Sequence, residues 1–281
     1  VKILVKNIVV ARAPVAKNKH PKIKNIVAIL SGKGGVGKST ITANLAVALV
    51  GQGYKVGVLD ADIHGPSQLL MLDAASSNEM TQVKDEIRPA LCHGVHVASM
   101  GALLKSGQAV AWRGPMASKA LVQLYQQTDW PDLDFLCVDC PPGTSDILLT
   151  LAKDLPLIGS VLVTTPQLAS VIDADRAADL MQKLSVPILG IVENMSHHQC
   201  NKCGHVESTF GSGGGQFLAN KFKTNCWQQI PLKTEICQGG EDGKPWVLDD
   251  SFLQSLAVQF TQSQVGLAKH SKLSSIKVDV G

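Results

Sequence analysis

A glycine-rich segment with two lysines sets the strongest limit on the architecture of this chain of 281 residues. The segment follows the apolar run Ile26–Leu30, which is typical of a buried strand, and precedes the helix-length stretch Ser39–Leu49. It fits the phosphate-binding pattern G-x-x-x-x-G-K-[ST] and comprises Gly32, Lys33, Gly34, Gly35, Val36, Gly37, Lys38, Ser39 and Thr40. A glycine-rich loop between a strand and a helix can direct its backbone N–H groups and the N-terminus of the helix at one phosphate. The sequence therefore predicts a nucleotide site.

Two side chains of this loop have predicted roles at the nucleotide. Lys38 is expected to pair with the β- and γ-phosphates and to have no role in the core, and the Ser39 hydroxyl is expected to ligate Mg²⁺. A guanine-reading N-K-x-D sequence is absent, because Asn201-Lys202 and Asn220-Lys221 are both followed by other residues. The expected nucleotide is therefore ATP.

Apolar runs of strand length recur along the chain and alternate with helix-length segments. Several are continuous Val, Ile and Leu stretches, which are typical of strands buried on both faces of a parallel sheet. The expected fold class is α/β, a mostly parallel β-sheet flanked by helices. The predicted strands are Ile26–Leu30, Val56–Asp60, Val95–Ala98, Phe135–Asp139, Ser160–Thr164 and Ile188–Glu193, and the predicted helices are Ser39–Leu49, Met116–Gln127, Ala169–Leu184 and Ser251–Gln262.

Two acidic motifs fall at the ends of predicted strands. Asp60-Ala61-Asp62 closes the second strand, and Asp139-Cys140-Pro141-Pro142-Gly143 closes a later one. Because the carboxyl ends of parallel strands meet in one crevice, both motifs are expected beside the phosphate loop. Asp139 is interpreted as the carboxylate that holds Mg²⁺ from the side opposite the phosphates, and Gly143 as a γ-phosphate sensor. Asp62 would orient or deprotonate the attacking water. A lone Asp would more simply cap a turn, but two such motifs favour a catalytic site.

The uneven distribution of charge suggests the domain organisation. Residues 1–25 carry seven basic side chains and no acidic one, and the rest of the chain carries 19 basic and 23 acidic side chains. We expect residues 1–25 to form a basic linker or arm and 269–281 a flexible tail. Residues 26–268 would form one P-loop ATPase domain that includes a cysteine turn.

Composition argues against several classes of protein. A net charge of +3 is too small to indicate a nucleic-acid binder, and no apolar run reaches the roughly 18–20 residues of a membrane helix. Seven cysteines are an odd number, and they come without a signal peptide, which favours a reducing cytosol over a secreted disulfide scaffold. The expected location is cytoplasmic, with no nucleic acid and no membrane as partner.

Cys200 and Cys203 form a C-x-x-C turn after the last predicted strand. Such a turn can direct two thiolates at one metal centre, but zinc and iron–sulfur clusters usually need four ligands. A second copy of the chain would supply the other two ligands, whereas a single-chain zinc site would recruit the flanking His198 and His205. A redox pair or incidental cysteines are the remaining readings.

The other cysteines are not expected to bind metal. Cys137 lies in a strand and is interpreted as core packing, although it forms a second C-x-x-C with Cys140. The remaining three, Cys92, Cys226 and Cys237, lack ligand spacing.

The loop and several further motifs resemble those of the Mrp (ApbC-type) iron–sulfur cluster carriers, a family of deviant Walker A ATPases. The deviant loop is marked by Lys33 in the pattern K-G-G-x-G-K-[ST]. The resemblance covers residues 25–245, and the further motifs are Asp60 to Ser67 (DADIHGPS), Trp112 to Met116 (WRGPM), Asp139 to Asp146 (DCPPGTSD), Thr164 to Gln167 (TTPQ) and Glu193 to Ser196 (ENMS).

This resemblance implies an ATP-dependent homodimer in which Lys33 reaches the nucleotide of the other subunit. It also implies that Asn194 contacts the adenine. Cys200 and Cys203 of both subunits would bind one bridging [4Fe–4S] cluster, which is passed to apo iron–sulfur proteins. ATP hydrolysis would be slow, with Lys33, Lys38 and Asp62 as the catalytic residues.

An alternative function is a partition or septum-positioning ATPase that acts on DNA or membrane and holds a structural zinc at the cysteine pair. It shares the phosphate loop, the extra lysine and both acidic motifs. The membrane version needs a basic amphipathic C-terminal helix, and Ser251–Gln262 contains no Lys or Arg. The DNA version needs a basic face, for which the acidic balance after residue 25 gives no support.

Overall fold

An eight-stranded sheet forms the centre of the fold, as seen in a computed structural model of the chain. The structure describes residues 19–63, 65–73, 80–83, 86–103, 114–248 and 253–263. In chain order the strands are β1 (Ile23–Ser31), β2 (Val56–Asp60), β3 (Thr81–Val83), β4 (Glu86–Arg88), β5 (Ala90–Cys92), β6 (Val95–Ser99), β7 (Leu133–Asp139), β8 (Leu157–Thr164), β9 (Ile188–Asn194), β10 (His198–Gln199), β11 (Val206–Glu207) and β12 (Cys226–Ile230).

The strand order of the main sheet is β12-β9-β8-β1-β7-β2-β6-β5. All neighbouring strands are parallel except β5, which pairs antiparallel with β6 at one edge. Strands β3 and β4 form a separate antiparallel hairpin, and so do β10 and β11. The predicted parallel α/β fold is therefore confirmed.

Helices connect the strands and cover the sheet. In chain order they are α1 (Lys38–Gly51), α2 (Gln68–Met71), α3 (Gly114–Gln127), α4 (Asp146–Asp154), α5 (Leu168–Lys183), α6 (Gly214–Phe222), α7 (Thr234–Glu241) and α8 (253–263). All six predicted strands and all four predicted helices are present, most of them extended or shifted at their ends by a few residues. The first two residues of the last predicted helix lie outside the described residues.

Several elements had no counterpart in the sequence analysis. Helix α4 is only nine residues long and starts at a Ser145 side chain that accepts a hydrogen bond from the Leu148 N–H. Helix α6 begins inside a run of three glycines, Gly213 to Gly215. A Cβ on Gly215 would lie 2.8 Å from the Glu193 Cβ, so close packing against β9 excludes side chains at the start of this helix.

Alternate residues of the central strand β1 point into two hydrophobic layers. Ala28 and Leu30 belong to the layer beneath α3, α4, α5 and α6, whereas Val27 and Ile29 belong to the layer beneath α1, α7 and α8. Cys137 is fully buried in the second layer, which confirms its predicted role in the core. The same layer contains Leu253, Leu256 and Phe260 of α8, so this helix packs as part of the domain.

The carboxyl ends of neighbouring strands bring the predicted motifs together. Asp60 at the end of β2 is in register with Asp139 at the end of β7, and Asp139 is also in register with Ile29 of β1. The phosphate loop follows β1 directly, so both acidic motifs lie beside it, as the parallel arrangement predicts.

Some predicted features lie outside the described residues. They are residues 1–18 of the basic arm, His64, Trp112, Arg113 and the tail 269–281. Among the described residues, no helix combines the length and the apolar character that a membrane span requires.

Candidate nucleotide-binding site and cysteine turn

The phosphate loop joins β1 to α1 and lines a cavity of about 240 Å³. Gly35 and Gly37 have positive φ angles of 77° and 83°, which few residues other than glycine adopt without strain. These angles turn successive N–H groups toward one concave side, and Gly37 directly precedes the first residue of α1. The loop therefore has the backbone shape of an anion-binding site.

Lys38 forms a buried ion pair with Asp139. Its Nζ lies 2.5 Å from Asp139 Oδ1, and the two side chains are 6% and 0% exposed. Thr42 Oγ1 donates a hydrogen bond to the same carboxylate oxygen over 3.0 Å. The expectation that Lys38 has no role in the core is wrong, because it neutralises a carboxylate that has no access to water. A phosphate in the loop would compete with Asp139 for this ammonium group.

Asp60 fixes the backbone that follows β2. Its two carboxylate oxygens accept hydrogen bonds from the N–H groups of Asp62, Ser67 and Gln68 and from the Ser99 hydroxyl. Burial, and secondarily the nearby charge of Asp139, raises the pKa of Asp60 to about 7. The role of Asp60 is thus to position the segment that carries Asp62, rather than to contact the nucleotide.

Asp62 is placed as the sequence analysis expects. It is partly exposed, lines the same cavity as the phosphate loop, and accepts a 3.3 Å hydrogen bond from the Gly65 N–H. Gly143, which follows β7, has a φ of 80° and donates its N–H to the Ser31 carbonyl over 2.9 Å. Both groups therefore reach the loop, but their chemical roles stay predictions.

Gln68 is a site residue that the sequence analysis missed. Its Nε2 donates hydrogen bonds to Asp139 Oδ2 over 2.9 Å and to the Ser39 carbonyl over 3.0 Å. Both neighbours are acceptors, so the amide nitrogen must face them and the amide oxygen must point away. A polar residue at the start of the otherwise apolar run Gln68–Met71 was the available signal in the sequence.

The donor set around Gln68 fits a Mg²⁺ ion. Within the part of the chain that the structure describes, Gln68 Oε1 is buried and has no hydrogen-bond partner. Mg²⁺ prefers oxygen ligands and usually keeps several waters, whose hydrogens need acceptors. The Ser39 hydroxyl and the Asp139 carboxylate supply a ligand and an acceptor of the required type, whereas Gln68 Oε1 points away from Asp139 and from the Ser39 carbonyl.

Lys33 and Asn194 connect the phosphate loop to the segments at the carboxyl ends of β8 and β9, respectively. Lys33 is partly exposed and lines the cavity, and its Nζ is 3.4 Å from Gln167 Oε1, directly before α5. Asn194 ends β9, is buried, and donates a 2.9 Å hydrogen bond from Nδ2 to the Val36 carbonyl. The adenine contact that the resemblance implies for Asn194 stays a prediction, as does the action of Lys33 across a dimer.

The cysteine turn is the tip of the hairpin β10–β11. The Cys200 N–H donates to the His205 carbonyl and the Gly204 N–H donates to the Cys200 carbonyl, so the turn is closed by its own backbone. Cys200 is partly exposed and Cys203 is exposed. Hydrogen bonds from the N–H groups of Lys202 and Cys203, and from the Cys203 thiol, lower the pKa of Cys200. The turn therefore presents two adjacent thiols at the surface and favours the thiolate form of one.

A single-chain zinc site is not formed by this hairpin. Among the described residues, which include the whole hairpin, no group of three or more His, Cys, Asp or Glu side chains is arranged to hold a metal ion. His198 instead lies with Nδ1 3.7 Å from Glu207 Oε1 across the strand pair, and His205 is exposed. Within one chain, the described hairpin therefore offers the two thiols without a third candidate ligand placed to complete a metal site.

Comparison with protein families finds a match over most of the chain. Residues 22–264 match the family model described as ParA, NUBPL iron-transfer P-loop NTPase. The iron–sulfur cluster carrier protein of Salmonella typhimurium is 50% identical over 226 residues, which are 80% of this chain and 61% of that relative. The protein of the same name from Pseudomonas fragi is 49% identical over 81% of this chain and 80% of its own length. The iron–sulfur cluster transfer protein NUBPL of Dictyostelium discoideum is 41% identical over 79% of this chain and 69% of its own.

The chain spans about 61% of the length of the first of these curated relatives. Among solved structures, a nucleotide-binding protein from Archaeoglobus fulgidus in complex with ADP has a TM-score of 0.72 at 33% identity, covering 83% of this chain and 91% of its own. The cell-division ATPase MinD of Pyrococcus furiosus has a TM-score of 0.63 at 23% identity, covering 85% of this chain and 98% of its own, which shows a shared fold.

We predict that Cys200 reacts faster with iodoacetamide near neutral pH than Cys237, an exposed thiol on α7. The thiolate is the reactive form, and the lowered pKa of Cys200 increases its thiolate fraction. Peptide mass spectrometry of the native protein over a time course measures both rates.

Cys137 is the buried control in this experiment. Burial raises the pKa of Cys137 to about 12, and its side chain is inaccessible, so it should react only after unfolding. Equal rates for Cys200 and Cys237 near neutral pH would show that the turn does not activate its thiol.

Proposed function

The chain belongs to the family of NUBPL iron-transfer P-loop NTPases, and from this family we propose that it is an ATP-dependent carrier of iron–sulfur clusters. One observation supports this function most directly: a surface pair of thiols follows β9, and the last residue of β9 bonds to the phosphate loop. Only five residues of chain separate Asn194, at the proposed nucleotide site, from Cys200, at the proposed cluster site.

The cluster is the cargo of this protein. Cys200 and Cys203 supply two thiolates, and a [4Fe–4S] cluster is held by four. Two copies of the chain around a two-fold axis would bring the required four together, so the cargo site exists only in the homodimer. Both thiols are at least partly exposed, which would let the thiols of an apo-protein displace them one at a time.

The nucleotide site would perform slow ATP hydrolysis. Backbone N–H groups of the loop and Lys38 would bind the phosphates, and Asp62 would orient or deprotonate the attacking water. Lys33, at the mouth of the cavity, would leave Gln167 to reach the nucleotide of the other subunit. Ser39 and Asp139 would hold Mg²⁺ with its waters, Gln68 would position Asp139 through its amide nitrogen, and the ion would neutralise charge on the phosphates.

The partition or septum-positioning alternative is not favoured. The likeness to MinD is below 25% identity and concerns the fold alone, whereas the cluster-carrier relatives are 41–50% identical. The structural zinc that the alternative assigns to the cysteine pair also lacks further ligands, because the described residues include no group of three or more His, Cys, Asp or Glu side chains arranged to hold a metal ion.

We predict that Asp62→Asn slows ATP hydrolysis by about a hundredfold or more while MgATP still binds. The asparagine keeps the size of the side chain and loses only the ability to accept a proton from water. Asp132→Asn is the matched control, because Asp132 is an exposed carboxylate at the amino end of β7, away from the phosphate loop. Phosphate release and nucleotide affinity are measured on the same preparations. An unchanged hydrolysis rate in Asp62→Asn would remove Asp62 from this role.

We predict that Cys200→Ala and Cys203→Ala each lose the cluster after anaerobic reconstitution. Either change leaves two thiolates in the whole dimer, fewer than a stable cluster needs. Visible charge-transfer absorption and bound iron should both collapse, while nucleotide affinity is preserved.

Cys237→Ala is the control for an exposed cysteine, and His198→Ala tests the zinc alternative. Both should keep the cluster, because neither side chain is needed as a ligand in the bridged dimer. The proposed function would be contradicted by full cluster absorption in Cys200→Ala, or by zinc that is lost with His198.

A further inference from the structure

The cysteine hairpin is part of an excursion of the chain between β9 and α6. This excursion comprises residues 195–213. It starts directly after the last residue of β9 and ends at α6, whose first turn is bonded to the second-last residue of β9. Asn194 is the residue from which the excursion starts, and Glu193 binds the N-terminus to which it returns. Two neighbouring side chains therefore anchor both ends of the segment that carries the proposed cargo site.

The first anchor is in tight contact with the phosphate loop. Asn194 Nδ2 donates to the Val36 carbonyl over 2.9 Å, and both groups are buried. A Cβ on Gly37 would lie only 2.2 Å from the same nitrogen, so the loop backbone packs directly on the amide. Because no free space separates them, the loop cannot change its shape at Val36 and Gly37 without moving Asn194.

The path from Asn194 to the hairpin is also fixed. Met195 has a φ of 54°, a left-handed conformation that is uncommon outside glycine and turns the chain sharply. The N–H and hydroxyl of Ser196 both bond to the Ile230 carbonyl, and the Leu232 N–H bonds to the His197 carbonyl. The segment is thus held against the end of β12 until the hairpin begins at His198.

The second anchor closes the excursion. Glu193 is fully buried, and its Oε2 accepts a 2.5 Å hydrogen bond from the Gly215 N–H in the first turn of α6. Its Oε1 accepts a 2.9 Å hydrogen bond from Gln229 Nε2 of β12. A carboxylate at a helix N-terminus is stabilised by the unpaired N–H groups there, so a buried charge at this position fixes where α6 begins.

We propose that Glu193 and Asn194 act as one joint that transmits the state of the phosphate loop to the cysteine turn. This inference rests on the proposed function and names how its two sites regulate each other. A nucleotide that orders the loop orders Asn194, and the adjoining Glu193 holds the return of the excursion in the same position. The cysteine turn then has lower mobility with nucleotide bound than without it.

Hydrogen exchange on the wild-type protein without an iron–sulfur cluster tests this coupling directly. With MgADP bound, amide exchange in residues 198–213 should slow by about fivefold or more, the lower end of measured coupling between sites. The hairpin β3–β4 is the internal control, because it is also a short two-stranded unit but has no described connection to the phosphate loop. Equal changes in the two hairpins, or no change in residues 198–213, would overturn the proposal.

The variant Glu193→Gln tests whether the effect of nucleotide on the cysteine turn is transmitted through Glu193 or reaches the turn directly. Glutamine keeps the shape of the side chain, but its amide nitrogen must face one of two donors, so one anchor bond is lost. ADP affinity should be unchanged, and the nucleotide-dependent slowing in residues 198–213 should disappear. Glu235→Gln, at an exposed glutamate of α7, is the matched control and should retain the slowing. Retained slowing in Glu193→Gln would contradict the joint.

The wild-type and Glu193→Gln experiments fail independently of each other and of the proposed function. If Glu193→Gln does not fold, the exchange comparison in the wild-type protein still decides whether the turn responds to nucleotide. All of these measurements use protein without an iron–sulfur cluster. Failure of the chain to bind a cluster would therefore refute the proposed function and would leave the exchange results unaffected. A chain that binds a cluster but shows no slowing refutes the joint alone.

Discussion

The buried ion pair between Lys38 and Asp139 is the interaction on which the site depends. It joins the start of α1 to the end of β7, and the same carboxylate also binds Thr42 and Gln68. Removing one partner of such a pair leaves an uncompensated buried charge and typically costs about 3–5 kcal/mol. The pair therefore holds the start of α1, Thr42 and Gln68 in fixed positions around Asp139, and a phosphate that drew Lys38 away would disturb all three.

The parallel sheet and most of the nucleotide site could be predicted from the sequence because their signals are local. Continuous apolar runs identified the strands, and the rule that carboxyl ends share one edge placed Asp62 and Asp139 beside the loop. Gln68 was missed because its importance comes from two acceptors that meet only in the folded chain. Helix α6 was missed because its glycines reflect close packing on β9, which a single sequence does not reveal.

For the cysteine turn too, the spacing of residues in the sequence predicts one part of the structure, and contacts between distant residues determine the rest. Its spacing predicted a pair of metal-binding thiols, and the hairpin does present two thiols at the surface with N–H groups directed at Cys200. What the spacing could not show is that both ends of the surrounding segment are tied to β9. In the proposed carrier, that connection gives the nucleotide a physical route to the cargo, since Asn194 contacts the loop and Glu193 fixes the return to α6.

Native mass spectrometry of the anaerobically reconstituted protein tests whether one cluster bridges two chains, because it reports the cluster content and the number of chains in the same particle. The proposed homodimer should appear as a particle of two chains with four iron and four sulfide ions, and loss of the cluster should remove all four irons together. A particle of one chain that carries its own complete cluster, or one zinc ion per chain with no sulfide, would contradict it.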